Sequence, residues 1–128
     1  MSTSLTLQEQ HQIVYQASRH ELVVPWSTRK RRLEQLQALL KTHQHTLLAA
    51  IAADFGQRSA TESTILELIP ANNAIKHALK HGEKWMQRRK AATSWLFKPA
   101  TAYVQPQPKG VIGIVSPWNY PLYLIIGP

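Results

Sequence analysis

The sequence contains no cysteine, few acidic residues and only five glycines. The absence of cysteine excludes a disulfide framework and a thiolate metal site, and any thiol nucleophile has to come from outside these 128 residues. The first ten residues lack a basic region followed by an apolar core, so the sequence predicts no secretory signal and a cytoplasmic protein.

The shortage of acidic residues leaves a strong basic excess. Fifteen Lys and Arg stand against seven Asp and Glu, which gives a formal net charge of +8. A basic helical nucleic-acid-binding module is therefore one hypothesis. However, the two clusters, at 29–32 and 87–90, are separate and have no interleaved aromatic residues. Two solvated faces explain them better, and we expect no nucleic-acid partner.

Helical patterns occupy most of the first hundred residues. Thr6 and Glu9 have the spacing of a capping box, which predicts a helix over about 7–20. Pro25 interrupts the chain, and Ser27 is a suitable N-cap for a longer helix whose apolar face carries leucines at 33, 36, 39 and 40. A third helical pattern follows and ends at Gly56, the residue type that favours a left-handed C-terminal position.

A fourth helix is predicted over 60–81. Ser59 and Glu62 have the spacing of a second capping box at its start. Pro70 should kink this helix, because proline removes one backbone donor and crowds the carbonyl of the preceding turn. His77 and His81 have the spacing of a metal pair, but no acidic third ligand accompanies them, so we interpret them as surface histidines, like His43 and His45, and expect no metal site.

Extended segments follow the helices. Trp95, Leu96 and Phe97 are predicted to anchor the chain on a neighbouring surface. Residues 101–105 alternate and are bounded by prolines, which favours an edge strand. Residues 110–115 are apolar, β-branched and spaced by glycine, a pattern typical of a strand covered on both faces.

A rigid turn, Ser-Pro-Trp-Asn-Tyr-Pro at 116–121, follows this strand and precedes an apolar run predicted to start a helix. The lone amide of Asn119 lies where open α/β sheets place ligand contacts, and it could donate to a developing oxyanion. The alternative is a turn asparagine that bonds its own backbone. The uncharged stretch 110–128 also leaves open a membrane-associated protein with an apolar anchor, although its three prolines and polar residues favour a buried position without a membrane.

These residues carry a resemblance to a known family. The strand and Pro-Trp-Asn-Tyr-Pro turn at 110–121 resemble the opening of the cofactor-binding domain of aldehyde dehydrogenases. Upstream, Asp-Phe-Gly-Gln-Arg-Ser at 54–59, with Glu62, Glu67 and the Trp-Met pair at 85–86, is similar to the branch that includes class 3 and coniferyl aldehyde dehydrogenases.

The resemblance implies an oxidoreductase that uses NAD or NADP and converts an aldehyde, such as a coniferyl-like aromatic aldehyde, to a carboxylic acid through a cysteine thiohemiacetal and thioester. By position, Asn119 would contribute to the oxyanion hole and Tyr120 would lie beside the substrate tunnel. Residues lining the nicotinamide-ribose side of the cofactor cleft would be Val115, Ser116, Pro117 and Trp118.

The resemblance also implies an α/β fold. The chain would be an incomplete N-terminal part of a cofactor-binding domain, with residues 1–99 mainly helical, an edge strand at 100–107 directed toward an oligomerisation sheet, and the first Rossmann-like strand, turn and helix start at 109–128. The nucleophile would lie further along a longer protein, so we expect the chain alone to be inactive and the full protein to be a homodimer.

Overall fold

The computed structural model describes residues 5–128, and its contacts divide the chain into two compact units. The first unit contains the described residues up to Pro25 together with Lys84–Gly113, and the second contains Trp26–Glu83 together with Ile114–Pro128. The helices are α1 (Leu7–His20), α2 (Trp26–Thr42), α3 (Gln44–Asp54), α4 (Ala60–Ser63), α5 (Ile69–Trp85) and α6 (Pro121–Ile126). A π-helical turn at Thr64–Leu68 joins α4 to α5, and a 3₁₀ turn covers Trp95–Phe97.

In the first unit, α1 has the predicted bounds and the predicted capping box. The Thr6 hydroxyl accepts from the backbone N–H of Glu9 at 3.3 Å, and the Glu9 carboxylate accepts from the backbone N–H of Thr6 at 2.7 Å. Each bond satisfies a donor near the start of the helix that has no intrahelical partner. The sequence therefore specifies this terminus by purely local contacts.

Two short antiparallel strands complete the regular structure of the first unit. Strand β1 (Arg89–Ala91) pairs with β2 (Ala102–Val104), with Lys90 opposite Tyr103. The prediction of a strand within 101–105 is confirmed, whereas no strand is predicted at β1, which overlaps the basic cluster at 87–90. Basic residues without β-branched neighbours give no strand pattern, and β1 forms because β2 supplies its hydrogen-bonding partners.

Two apolar segments, one in the first unit and one that crosses the boundary between the units in sequence, differ from expectation. Trp95, Leu96 and Phe97 are at least 66% exposed, so the expected anchoring contact does not form within the described residues. Residues 110–115 form no strand there either. Gly110 has φ of +99°, a left-handed conformation that interrupts an extended strand, and a strand also needs a neighbour to satisfy its backbone groups. No other strand of residues 5–128 pairs with this segment.

The second unit is built around a small apolar core. Its fully buried members are Leu40 from α2 and Ala71 and Ile75 from α5. Partly buried side chains from four helices pack against them, namely Leu33, Leu36, Leu47, Leu79, Leu122, Tyr123 and Ile126. Leu39 is half exposed, so the apolar face of α2 is narrower than predicted.

Helix α2 begins earlier than the sequence predicts. Ser27 is the expected N-cap, but the helix starts at Trp26, directly after Pro25. Proline already has a helical φ and lacks the N–H that an early helical position leaves unpaired, so the helix can begin immediately behind it. The end of α3 agrees with expectation, because Gly56 has φ of +84° directly after the C-cap residue Phe55.

A π turn interrupts the predicted helix close to Pro70, where a kink is predicted. The N–H of Ile69 donates to the carbonyl of Thr64, five residues back, instead of to the residue four back. This wider turn lies just before Pro70, where the proline would otherwise crowd the preceding carbonyl. The helix then continues to Trp85, four residues beyond the predicted end at His81.

Candidate active-site loop

The turn at 116–121 lies in the second unit and leads into α6. Pro121 is the first residue of that helix, as its fixed φ favours. The hydroxyl of Ser116 donates to the carbonyls of Pro117 and Pro121, each at 3.1 Å. Ser116 therefore ties the two prolines together and closes the turn from within.

A side chain from another segment holds the outside of the turn. Arg58, in the connection between α3 and α4, donates from Nη1 to the backbone carbonyl of Asn119 at 2.7 Å. Its guanidinium carbon lies 4.7 Å from the ring centre of Tyr120 and 4.9 Å from that of Phe55. The cation therefore packs against two aromatic rings while it binds the loop backbone.

Glu67 completes this arrangement from the π turn. The residue is fully buried, and its Oε1 lies 3.3 Å from Arg58 Nη1. Its Oε2 accepts from the backbone N–H of Leu122 at 2.8 Å. Leu122 is the second residue of α6, where the N–H has no partner inside the helix. The carboxylate of Glu67, 55 positions earlier in the chain, thus caps the N-terminus of α6.

The 3.3 Å contact between Arg58 and Glu67 is an ion pair without hydrogen-bond alignment, so Glu67 Oε1 lacks a hydrogen-bond partner within the described residues. Arg58 Nε is 3.5 Å from the half-exposed carboxylate of Glu62, again without alignment. This contact explains why the second predicted capping box is incomplete. Ser59 accepts from the N–H of Thr61 at 3.2 Å, but Glu62 is drawn to the guanidinium.

An open cleft of about 580 Å³ lies beside the loop. It is lined by residues of the α3–α4 connection, of α4 and of the turn: Phe55, Gln57, Arg58, Glu62, Trp118, Asn119 and Tyr120. The structure therefore brings three of the sequence-predicted site residues, at 118, 119 and 120, to one cleft. Val115, Ser116 and Pro117 precede them along the chain and do not line it.

The side chain of Asn119 is exposed and forms no hydrogen bond within residues 5–128. A turn asparagine that stabilises its own loop would need such a bond. Here the loop is instead fixed through the backbone carbonyl of Asn119 and through Ser116. The amide N–H groups are consequently available to donate to another molecule.

The four residues predicted to meet the cofactor are uncharged, and Val115 and Trp118 are 96% and 85% exposed. Such a surface suits a flat aromatic ring with its attached ribose better than a pyrophosphate, because it offers no cationic side chain. The segment is thus chemically compatible with the nicotinamide end of NAD or NADP.

None of the residues that line the cleft beside this loop is a histidine. The rings of His77 and His81 lie 4.5 Å apart on α5. Among residues 5–128, no group of three or more His, Cys, Asp or Glu side chains converges as metal ligands would. The same part of the chain has no helix long and apolar enough to cross a membrane.

Comparison with known proteins gives the family. The aldehyde dehydrogenase family model matches residues 7–128. A protein described as a probable coniferyl aldehyde dehydrogenase from Pseudomonas aeruginosa is 45% identical over 96 residues, which cover 75% of this chain and 20% of that protein. Aldehyde dehydrogenase family 3 member B3 of Mus musculus is 38% identical over 104 residues, covering 79% of this chain and 22% of the relative.

The fold has a counterpart among solved structures. A substrate-bound state of Staphylococcus aureus AldH superposes with a TM-score of 0.87, at 22% identity, over 96% of this chain and 27% of that one. The chain belongs to the aldehyde dehydrogenase family, and its fold is that of the N-terminal part of such an enzyme. It spans about a fifth of the length of the curated relatives that it matches.

Sequence patterns do not predict that Arg58 and Glu67 support this loop. Both belong to segments quoted for the family resemblance, but nothing in their spacing indicates contacts with residues 55 to 61 positions away. A partial signal existed for Glu67, an acidic residue among apolar residues just before a helix-interrupting proline.

Proposed function

We propose that this chain is the N-terminal segment of an NAD- or NADP-dependent aldehyde dehydrogenase in which Asn119 acts as an oxyanion-hole donor. The observation that carries this proposal is the exposed, unbonded amide of Asn119 at the edge of the cleft. The backbone of its loop is held by Arg58 at the carbonyl of Asn119 and by Ser116 at the carbonyl of Pro121. A donor held in position before the reaction stabilises developing negative charge without reorganisation at the moment of reaction.

In this proposal each loop residue has a limited task. The Asn119 amide donates to the aldehyde oxygen as that oxygen gains negative charge. Tyr120, packed on the Arg58 guanidinium, forms part of the wall for the aldehyde. The exposed Val115 and Trp118, with the backbone of Ser116 and Pro117, meet the nicotinamide-ribose end of the cofactor. NAD or NADP, when bound, supplies the hydride acceptor.

Coniferyl aldehyde is the first substrate to test, because the Pseudomonas aeruginosa relative carries that name. We also propose that the full protein is a homodimer, with the edge strand within 101–105 near the subunit contact. Support for this comes from β2, which pairs with β1 on one side and with no other strand of residues 5–128. A second function, nucleic-acid binding or membrane anchoring, has no specific observation in its favour.

The test is aldehyde-dependent reduction of NAD and NADP by the full-length protein, followed by substitution of Asn119. We expect Asn119→Ala to lower kcat by about 10²- to 10³-fold, the usual cost of one lost oxyanion-hole donor. The cofactor KM should change little. Asn119→Asp should be at least as damaging, since it keeps the shape of the side chain but directs negative charge at the oxyanion.

Two outcomes would contradict the proposal. If the full-length protein oxidises no aldehyde, the proposed dehydrogenase activity is excluded. Near-normal kcat in both Asn119 variants, under saturating conditions in which chemistry limits the rate, would remove Asn119 from the mechanism.

A further inference from the structure

The side chains of Arg58 and Glu67 bind the candidate loop at three successive points. Arg58 donates to the carbonyl of Asn119 and packs on the ring of Tyr120. Glu67 accepts from the N–H of Leu122. The loop is therefore held at residues 119 and 120, and the start of α6 at residue 122, by one ion pair from a different part of the chain.

This pair is almost completely removed from solvent. The Arg58 side chain is 6% exposed and that of Glu67 is 0% exposed. Taking two charges out of water is costly, and an ion pair with incomplete hydrogen bonding offsets that cost only in part. Arg58 Nε, Arg58 Nη2 and Glu67 Oε1 are all buried without a hydrogen-bond partner among residues 5–128. Stability alone is thus a poor explanation for the pair, and apolar side chains could fill the same space.

The geometry points to a positioning function. We infer that Arg58 and Glu67 are positioning residues that fix the backbone at Asn119 and just after it, and so set the direction of its amide. This inference rests on the proposed function of Asn119. Its chemistry is indirect, since Arg58 binds the carbonyl of Asn119 and leaves the side-chain amide free to meet a substrate.

The π turn contributes to the same positioning, because it carries Glu67. Glu67 lies within Thr64–Leu68, which makes contact with α6. The turn ends two residues before Pro70, and π turns often occur at functional sites. Because a π turn holds one residue more than an α turn, it changes the direction of its side chains, and here it carries a carboxylate to the first turn of α6.

The test is a double-mutant cycle for kcat in the full-length enzyme. Arg58→Lys keeps the positive charge but loses the planar fork and its stacking on Tyr120. We expect it to lower kcat by roughly ten- to a hundredfold, the range associated with small misplacement of a catalytic group. In an Asn119→Ala background the same substitution should change kcat less than about twofold, because the amide that Arg58 orients is already absent.

Glu67→Gln provides a second, independent cycle that applies even if Arg58→Lys does not fold. It retains an oxygen that can accept from Leu122 but removes the charge that faces Arg58. We expect the same pattern, a loss of kcat with intact Asn119 and little further loss in Asn119→Ala, with the cofactor KM unchanged in both. Glu34→Gln is the matched control, since it removes a carboxylate from an exposed ion pair with Lys30 on α2 and should leave kcat unchanged.

The outcomes separate this inference from the proposed function. If Asn119→Ala itself has near-normal kcat, the proposed role of Asn119 fails. If Asn119→Ala is damaging but the Arg58 and Glu67 variants lower kcat by the same factor with and without it, the positioning inference fails alone. Normal kcat in both positioning variants also overturns it.

Discussion

The two compact units differ in how they are held together. Every buried side chain among residues 5–128 belongs to the second unit, including the apolar core at Leu40, Ala71 and Ile75 and the charged Glu67. The first unit has no buried residue in its described part. It is organised by surface contacts, such as the capping box of α1 and the guanidinium of Arg88, 3.5 Å from the ring centre of Tyr103.

This difference has energetic consequences. Burial of a large apolar side chain contributes about 1.5 to 3 kcal/mol, whereas an exposed cation–π contact contributes about 0.5 to 1 kcal/mol. Substitutions in the second unit should therefore be much more damaging than equivalent ones in the first. The candidate catalytic loop belongs to the unit with the buried core, as accurate positioning of a reactive group requires.

The largest expected effect is a difference in local stability between the two units when the same substitution, Leu to Ala, is made in each. Leu40→Ala, at a residue 1% exposed, should cost about 2 to 5 kcal/mol in the local free energy of opening of α2. Leu96→Ala, at a residue 67% exposed, should change local stability by less than about 0.5 kcal/mol. Hydrogen exchange of peptides from each unit in the full-length protein measures both quantities. Equal effects would show that the first unit is buried against another part of the protein.

A smaller effect is expected where two elements of the second unit approach closely. A Cβ at Gly82 on α5 would lie 2.5 Å from Cζ3 of Trp26, at the start of α2. Gly82→Ala should therefore destabilise by about 1 to 3 kcal/mol, although alanine favours a helix more than glycine does. The double variant with Trp26→Phe, whose smaller ring relieves the clash, should be less damaging than the sum of the two single changes, as measured by the urea midpoint. Additive effects would contradict this contact.

The same contrast explains which features could be predicted from the sequence. Contacts between residues three or four apart specify α1 through Thr6 and Glu9, and the left-handed conformation of Gly56 ends α3 as predicted. Both depend on neighbouring residues only. An interruption near Pro70 was predictable, but its π form was not, and the bond from that turn to α6 through Glu67 joins residues 55 positions apart.

The residues of the site could be predicted from the sequence, but the contacts that hold them in place could not. The Pro-Trp-Asn-Tyr-Pro turn indicated which amide would be presented, since two prolines restrict the backbone around it. Arg58 and Glu67, the ion pair that fixes this turn, contact residues 55 to 61 positions further along the chain. No local pattern encodes such a contact. The pattern at 110–115 likewise predicted a strand, but strand formation also needs a partner, which no residue of the described part provides.

The smallest expected effect concerns α1 and tests whether local capping alone holds the exposed first unit. Hydrogen bonds from the backbone N–H and then from the hydroxyl of Thr6 hold the pKa of Glu9 below its ordinary value. A depressed pKa in the folded state means that the carboxylate stabilises α1 above the ordinary pKa of Glu, and that this contribution is lost as the pH falls through the folded value. Thr6→Ala should cost about 1 kcal/mol of local helix stability and should raise the pKa of Glu9 only in part, because the backbone N–H remains.

Hydrogen exchange of α1 peptides, corrected for the intrinsic pH dependence of exchange, should show faster opening in Thr6→Ala at neutral pH. The difference from the wild type should narrow in acid, because protonation of Glu9 weakens the capping box in the parent as well. Peptides from α2 and α5 should not respond, since neither contributes to this cap. A response in α5 as large as that in α1 would mean that the terminus is coupled to the buried core, and that the exposed unit is not held by local contacts alone.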